Sequence, residues 1–248
     1  MDWHERNGVR WLEADLGGAR AAFLARTGGV SAAPFDSLNL GVLTDDPNEV
    51  VAENRARLAT ALGLDPAQIP IGLQVHGGEL AFHSAPQVPS PFAQPGSAIP
   101  EVDGHVVAGP GLAPLVFTAD CLPVALRGPG GIAVLHCGWR GLAAGIVARG
   151  AEAVAATDAA IGPGIGPCCY EVGPEVLDAF AGLGESIATQ RQLDLVEVAR
   201  RLLLAAGVER IQAAGLCTRC EPELFFSHRR DAGRTGRQGN LAWIEPGA

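Results

Sequence analysis

Residues 115–137 read Leu-Val-Phe-Thr-Ala-Asp-Cys-Leu-Pro-Val-Ala-Leu-Arg-Gly-Pro-Gly-Gly-Ile-Ala-Val-Leu-His-Cys. Three short apolar runs (115–118, 123–126 and 132–136) are separated by turn residues, chiefly Gly128-Pro129-Gly130-Gly131. Such runs, bounded by Gly and Pro, are strands. A helical pattern follows over about 142–156. Outward from this centre the chain keeps alternating. Strands are expected at 9–14, 21–25, 71–76 and 208–213. Asp46, Pro47 and Glu49 form the start signal of a helix running to Leu62, with Gly63 as its stop. Asp194 caps a second helix, whose apolar positions Leu195, Val198, Ala199 and Leu202 recur at helical spacing before Gly207. No repeat of fixed period is present. The pattern is that of one α/β domain over residues 1–248 with mixed sheets. Residues 85–103 hold five prolines and little periodicity, so they read as a long loop or lid within it.

Composition narrows the chemistry. Among 248 residues there are 27 acidic and 18 basic side chains, for a net charge of -9, and every basic one is Arg. Without lysine there is no Schiff base, no P-loop lysine and no Ser-Lys dyad. The negative charge argues against a nucleic-acid coat, although arginines can still gather a phosphate. The start, Met1-Asp2-Trp3-His4-Glu5-Arg6, has no apolar stretch, so no signal peptide is expected. No run is long enough to span a membrane. Six cysteines in a chain of this length are not a disulfide scaffold. A reducing cytoplasm is expected.

Six histidines and six cysteines are few enough to weigh singly. His76, Cys121 and His136 stand at strand ends beside Gly or Pro, where side chains leave a sheet and meet in a cleft. Two imidazoles and one thiolate suit Zn²⁺ with an open fourth position, which lowers the pKa of bound water to about 7. The spacings between them, 45 and 15 residues, are not diagnostic. Buried structural His and Cys are the competing reading. Cys217 and Cys220 have C-x-x-C spacing, but no second pair lies at zinc-finger distance, so no separate metal is expected there. Cys168 and Cys169, in a Gly/Pro turn, read as structural. His4, His83, His105 and His228 read as surface or loop residues.

Seven phrases occur in order: Arg26-Thr27-Gly28-Gly29-Val30-Ser31, Ser37-Leu38-Asn39-Leu40-Gly41, Gln74-Val75-His76-Gly77, Thr118-Ala119-Asp120-Cys121, His136-Cys137-Gly138-Trp139-Arg140-Gly141, Ile165-Gly166-Pro167-Cys168-Cys169-Tyr170-Glu171-Val172 and Phe225-Phe226-Ser227-His228-Arg229-Arg230-Asp231. Together they resemble the YfiH family, also called the laccase-domain or DUF152 family and long labelled polyphenol oxidase. The resemblance runs from residue 26 to about 240. It implies mixed β-sheets layered between helices, and one zinc held by His76, Cys121 and His136, with Cys137 a neighbour and not a ligand. It also implies phosphorolysis of adenosine, inosine, guanosine and methylthioadenosine, and deamination of adenosine.

The residues fit deamination well, since a metal-activated water can attack purine C6. The usual H-x-E shuttle is absent, and Asp120 is its candidate substitute; the competing role is to orient a metal ligand. Phosphorolysis needs an anion site. With no lysine, Arg26 and Arg230 are the leading candidates, against a role in surface ion pairs. Asn39 can bond ribose or base, or cap its loop. Arg140 can reach substrate or stack on Trp139.

Three other functions compete. Laccase chemistry takes roughly ten histidines and a cysteine for its coppers, and six are present. Copper would then be an adventitious occupant. A metal-free Cys121–His136 thiolate–imidazole hydrolase is the second; the resemblance also implies editing of peptidoglycan precursors that carry Ser in place of Ala, a hydrolysis that either the thiolate or a zinc hydroxide could perform. A non-enzymatic small-molecule binding module is the third.

Overall fold

The computed structural model describes residues 1–247. A first, antiparallel sheet is built from β1 (Asp2–Arg6), β2 (Val9–Asp15), β3 (Ala19–Leu24), β13 (Gln238–Ile244) and β6 (Leu115–Thr118), in that order. The second has the order β12 (Arg210–Ala213), β9 (Asp158–Ile161), β7 (Leu122–Gly128), β8 (Gly131–Cys137), β5 (Gly104–Val107) and β4 (Leu80–His83). It is mixed, because both edge strands, β12 and β4, run parallel to their neighbours. A two-residue pair, β10 (Ala188–Thr189) and β11 (Gln192–Leu193), stands apart.

Alternation along the strands decides the layers. Leu12, Ala14, Phe23, Val116 and Ala242 of the first sheet pack on Ala125, Ile132, Val134 and Ala160 of the second, so the sheets lie face to face. The outer face of the first sheet (Trp11, Leu24, Leu115, Leu241) is covered by α1 (Asn48–Leu62) through Leu58, Ala59 and Ala61. The outer face of the second (Val124, Leu126, Ala133, Leu135) is covered chiefly by Val147, Ala151 and Val154 of α3 (Ile146–Val154) and by Val198 and Leu203 of α5 (Leu195–Ala205). The remaining helices are short, α2 (Trp139–Ala143) and α4 (Pro174–Ala179). This is the expected α/β architecture of sheets layered between helices. No helix among the described residues is long and apolar enough to cross a membrane.

Local expectations fail where tertiary contacts win. The helix expected over 142–156 is two, α2 and α3, because Gly145 adopts φ 82 between them, a left-handed conformation that suits glycine. Asp46 does not cap α1. Its carboxylate accepts from the Ser31 hydroxyl (2.7 Å) and from Asn39 Nδ2 (2.9 Å), and Pro47 occupies the cap position. Segment 71–76 is no strand; it has one bridge, Leu73 to Glu101. The Gln74 side chain substitutes for a ladder, donating to the Phe117 carbonyl and accepting from its N–H, both at 2.7 Å.

The Pro-rich segment 85–103 is anchored. Phe92 is fully buried. Arg55 of α1 donates to the Leu40 (3.0 Å), Pro91 (3.3 Å) and Phe92 (3.1 Å) carbonyls and lies between the Phe92 and Phe117 rings. Burial lowers the Arg55 guanidinium to about 10, so it stays charged at neutral pH.

Candidate active site and metal centres

β7 and β8 are antiparallel neighbours with Leu122 opposite Cys137, which places Cys121, just before β7, beside the end of β8 that carries His136. His76 arrives from the irregular segment after Gln74. The ligand atoms of His76, Cys121 and His136 all lie within 4.8 Å of one another. The two imidazoles meet edge to face, with centroids 4.8 Å apart. Cys137 is fully buried in the core under α3, the face opposite His136. Gly138 completes the packing. A Cβ there would sit 2.9 Å from Cys121 Sγ and 3.2 Å from the His76 ring, so a side chain would push on two of the three.

Asp103 organises the triad, and the sequence reading missed it. It is fully buried. One oxygen accepts from His136 Nδ1 at 2.7 Å and from the His76 N–H at 3.0 Å; the other accepts from the Val75 and Gly77 N–H groups at 3.1 and 2.7 Å. The first bond fixes the tautomer of His136 and leaves Nε2 as the nitrogen available to a metal. The others hold the turn in which His76 adopts φ 61, rare outside glycine. Burial alone would raise the Asp103 carboxyl, but the His136 and Gly77 hydrogen bonds hold it below the usual range.

The pair of charges at the centre is strong. Burial would raise the Cys121 thiol, yet His136 and His76 bring it down to about 6. Burial would lower His136, yet Cys121 and Asp103 lift it to about 9. Without metal, thiolate and imidazolium stabilise each other.

All three residues line a cavity of about 800 Å³, within the roughly 300–1,000 Å³ range of small-molecule sites. Its wall includes Phe117, Tyr170, Arg140, Arg229 and Arg237. Arg140 lies 4.4 Å over the Trp139 ring and Arg229 lies 5.4 Å over Tyr170. Asp120 also faces the cavity. Its carboxylate accepts from Thr218 Oγ1 at 2.7 Å and from the Arg229 N–H at 2.6 Å, while its backbone adopts φ 95. Strain of this kind concentrates where a side chain must be aimed.

Other expected residues lie elsewhere. Arg26 pairs with Asp36, donates to the Pro222 carbonyl and sits over Phe226, and it lines a separate surface recess. Arg230 pairs with Asp231 and donates to the Thr218 and Phe225 carbonyls. Asn39 is fully buried; it donates to Thr44 and Asp46 and accepts from the Gly41 and Arg237 N–H groups, which is its loop role. His105 is no surface residue: it is buried on β5, and burial holds its imidazole down to about 3 and neutral.

A second cluster is present. The sulfurs of Cys168, Cys169, Cys217 and Cys220 all lie within 4.8 Å of one another and could bind a metal. The C-x-x-C pair lacks a partner pair along the chain, but the fold supplies one 51 residues away.

Fold and site thus define an α/β protein with a His–Cys–His triad, competent for metal, opening into an arginine-lined cavity. The chain belongs to the family described as multi-copper polyphenol oxidoreductase laccase, whose profile matches residues 20–245. It is 36% identical to purine nucleoside phosphorylase PA4543 of Pseudomonas aeruginosa, over 95% of this chain and 98% of that one. It is 37% identical to purine nucleoside phosphorylase YlmD of Geobacillus stearothermophilus, over 94% and 93%. The crystal structure of the Bacillus licheniformis hypothetical protein YfiH superposes with a TM-score of 0.88 at 30% identity, covering 98% and 99%.

Proposed function

We propose that this chain is a cytoplasmic purine nucleoside phosphorylase with one zinc ion at His76, Cys121 and His136. Its substrates are adenosine, inosine, guanosine and methylthioadenosine with phosphate, and it also deaminates adenosine. The observation that carries the reading is the triad in the wall of an arginine-lined cavity, in a chain alike over nearly its full length to proteins named for this activity. The donor set fits. Two imidazoles and a thiolate held low are ligands for a borderline-soft cation, and three protein ligands leave room for a fourth. When bound, zinc supplies Lewis-acid stabilisation of negative charge and acidifies a water.

The protein's own groups do the rest. In phosphorolysis a phosphate oxygen attacks ribose C1′ while the glycosidic C–N bond breaks, and the purine leaves with the bonding electrons. Phe117 and Tyr170 offer ring faces to the base. Arg140, Arg229 and Arg237 supply the positive charge for phosphate that lysine cannot. Arg26 and Arg230 serve at one remove, by fixing the loop that carries Arg229. Asp120 is oriented by Thr218 and by the Arg229 N–H to accept and return a proton during deamination.

Zinc-replete protein given inosine should release hypoxanthine only when phosphate is present. Given adenosine without phosphate, it should release ammonia. Release of neither base nor ammonia would refute the reading. Arg237→Ala should raise the KM for phosphate about ten- to a hundredfold, the loss of one charge-assisted hydrogen bond, with a smaller change in KM for the nucleoside. An unchanged phosphate KM removes Arg237 from the anion site.

The thiolate–imidazolium pair favours a second reading, a metal-free Cys121–His136 hydrolase acting on peptidoglycan precursors. Chelation separates the two: a dyad survives metal removal, and the zinc site does not. The family's oxidase description finds less support, since six histidines fall short of a multicopper set.

A further inference from the structure

Two turns meet beside the cavity. In the first, the Cys169 and Tyr170 N–H groups donate to the Gly166 carbonyl at 2.9 and 3.0 Å. In the second, the Cys220 and Glu221 N–H groups donate to the Cys217 carbonyl at 3.1 Å. A parallel bridge joins Gly164 to Cys217, and the Thr218 N–H donates to the Gly164 carbonyl at 3.0 Å. This aligns the turns and gathers four sulfurs from positions the chain keeps far apart.

The sulfur spacing suits one shared metal ion. Cys220 Sγ lies 3.6 Å from Cys168 Sγ and 3.4 Å from Cys169 Sγ. With Zn–S near 2.3 Å, tetrahedral vertices stand about 3.8 Å apart. A disulfide needs about 2.05 Å. Four sulfurs exclude hard cations such as Ca²⁺ and Mg²⁺, which take oxygen. The Gly166 N–H points at Cys217 Sγ at 3.2 Å.

We propose that Cys168, Cys169, Cys217 and Cys220 bind a second zinc ion, in a closed tetrathiolate site that fastens together two loops of the cavity wall. Its role is structural, because four protein ligands leave no position for substrate. What it fastens matters to the first site. Tyr170 follows Cys169 directly, and Thr218, between Cys217 and Cys220, donates to Asp120. The four cysteines are therefore positioning residues for Tyr170 and Asp120.

The test counts metal. Protein prepared under reducing conditions with zinc, then desalted, should hold two zinc ions per chain. Cys121→Ser should hold one, and so should the Cys168→Ser/Cys220→Ser double variant. If the triad holds no metal, wild type and Cys121→Ser both carry one and the double variant none, which separates failure of the first site from failure of the second. Zinc content unchanged in the double variant would overturn the proposal. So would a disulfide among the four in unreduced protein, or iron in place of zinc. Should the double variant not fold, cobalt-loaded Cys121→Ser decides instead: tetrahedral tetrathiolate absorption is expected, and its absence overturns the site. In the folded double variant, reloaded with zinc, the nucleoside KM should rise more than kcat falls; a purely peripheral site would move neither.

Discussion

Cys121→Ala is expected to abolish metal binding at the triad and to lower phosphorolysis by on the order of a thousandfold, several kcal/mol of lost charge stabilisation. The thiolate is the one anionic ligand of the three. Without it two imidazoles remain, and one of the two negative charges that raise His136 is gone. The fold should survive, because Cys121 is only partly buried and Leu122 and Val124, which anchor β7 in the core, are untouched. A melting temperature close to wild type, with one zinc fewer per chain by mass spectrometry, is the expected pair of results. Cys137→Ala is the internal control. It truncates a thiol buried on the opposite face, so it should cost about 1 kcal/mol of stability and no metal. Metal retained in Cys121→Ala would remove it from the ligand set.

Asp103→Asn is expected to be the second most damaging change, although Asp103 is neither one of the three triad residues nor part of the cavity wall. Its two oxygens accept four hydrogen bonds, three from the backbone of 75–77 and one from His136. An amide can replace one acceptor atom, but its NH₂ then faces N–H groups that also donate. A buried mismatch of this kind costs about 1–3 kcal/mol. Loss of a carboxylate behind a ligating histidine weakens metal binding about ten- to a hundredfold. Competition with a chelator and urea unfolding would measure the two effects separately. Near-wild-type affinity together with lost stability would mean that Asp103 supports the turn at His76 and nothing more.

What could be read from the chain follows from which contacts are local. The strands at 115–118 and 132–136 carry their own signal of apolar runs between Gly and Pro, and they were legible. So was Asp194, whose side chain accepts from the Glu197 N–H three residues on. His76 sits in a turn and not at the end of the strand that its apolar neighbours suggest. Its segment is placed by Gln74 on Phe117 and by Asp103, and neither partner is a neighbour in sequence. Asp103 itself lies at the end of the Pro-rich stretch whose sequence reads as a long loop or lid. The strand β5 that follows it was hidden with it, and β13 was missed because its polar face (Gln238, Asn240) is buried and hydrogen-bonded rather than exposed.

The arginines show the same limit. Arg26 and Arg230 stand in recognisable phrases, but the fold ties them to Asp36 and Asp231. Arg237, outside those phrases, faces the cavity. The four-cysteine cluster was beyond reach for a related reason. Its two halves belong to loops that meet through the Gly164–Cys217 bridge and the hydrogen bonds around it, and no spacing rule connects them.

The central claim is that the triad metal and the nucleoside share one cavity. Crystals grown with zinc, soaked with inosine and phosphate and measured on both sides of the zinc absorption edge, test it directly. The expected map has an anomalous peak between His76, Cys121 and His136, with the nucleoside between Phe117 and Tyr170 and phosphate beside Arg237. No peak at the triad, or a nucleoside bound elsewhere on the protein, would contradict it.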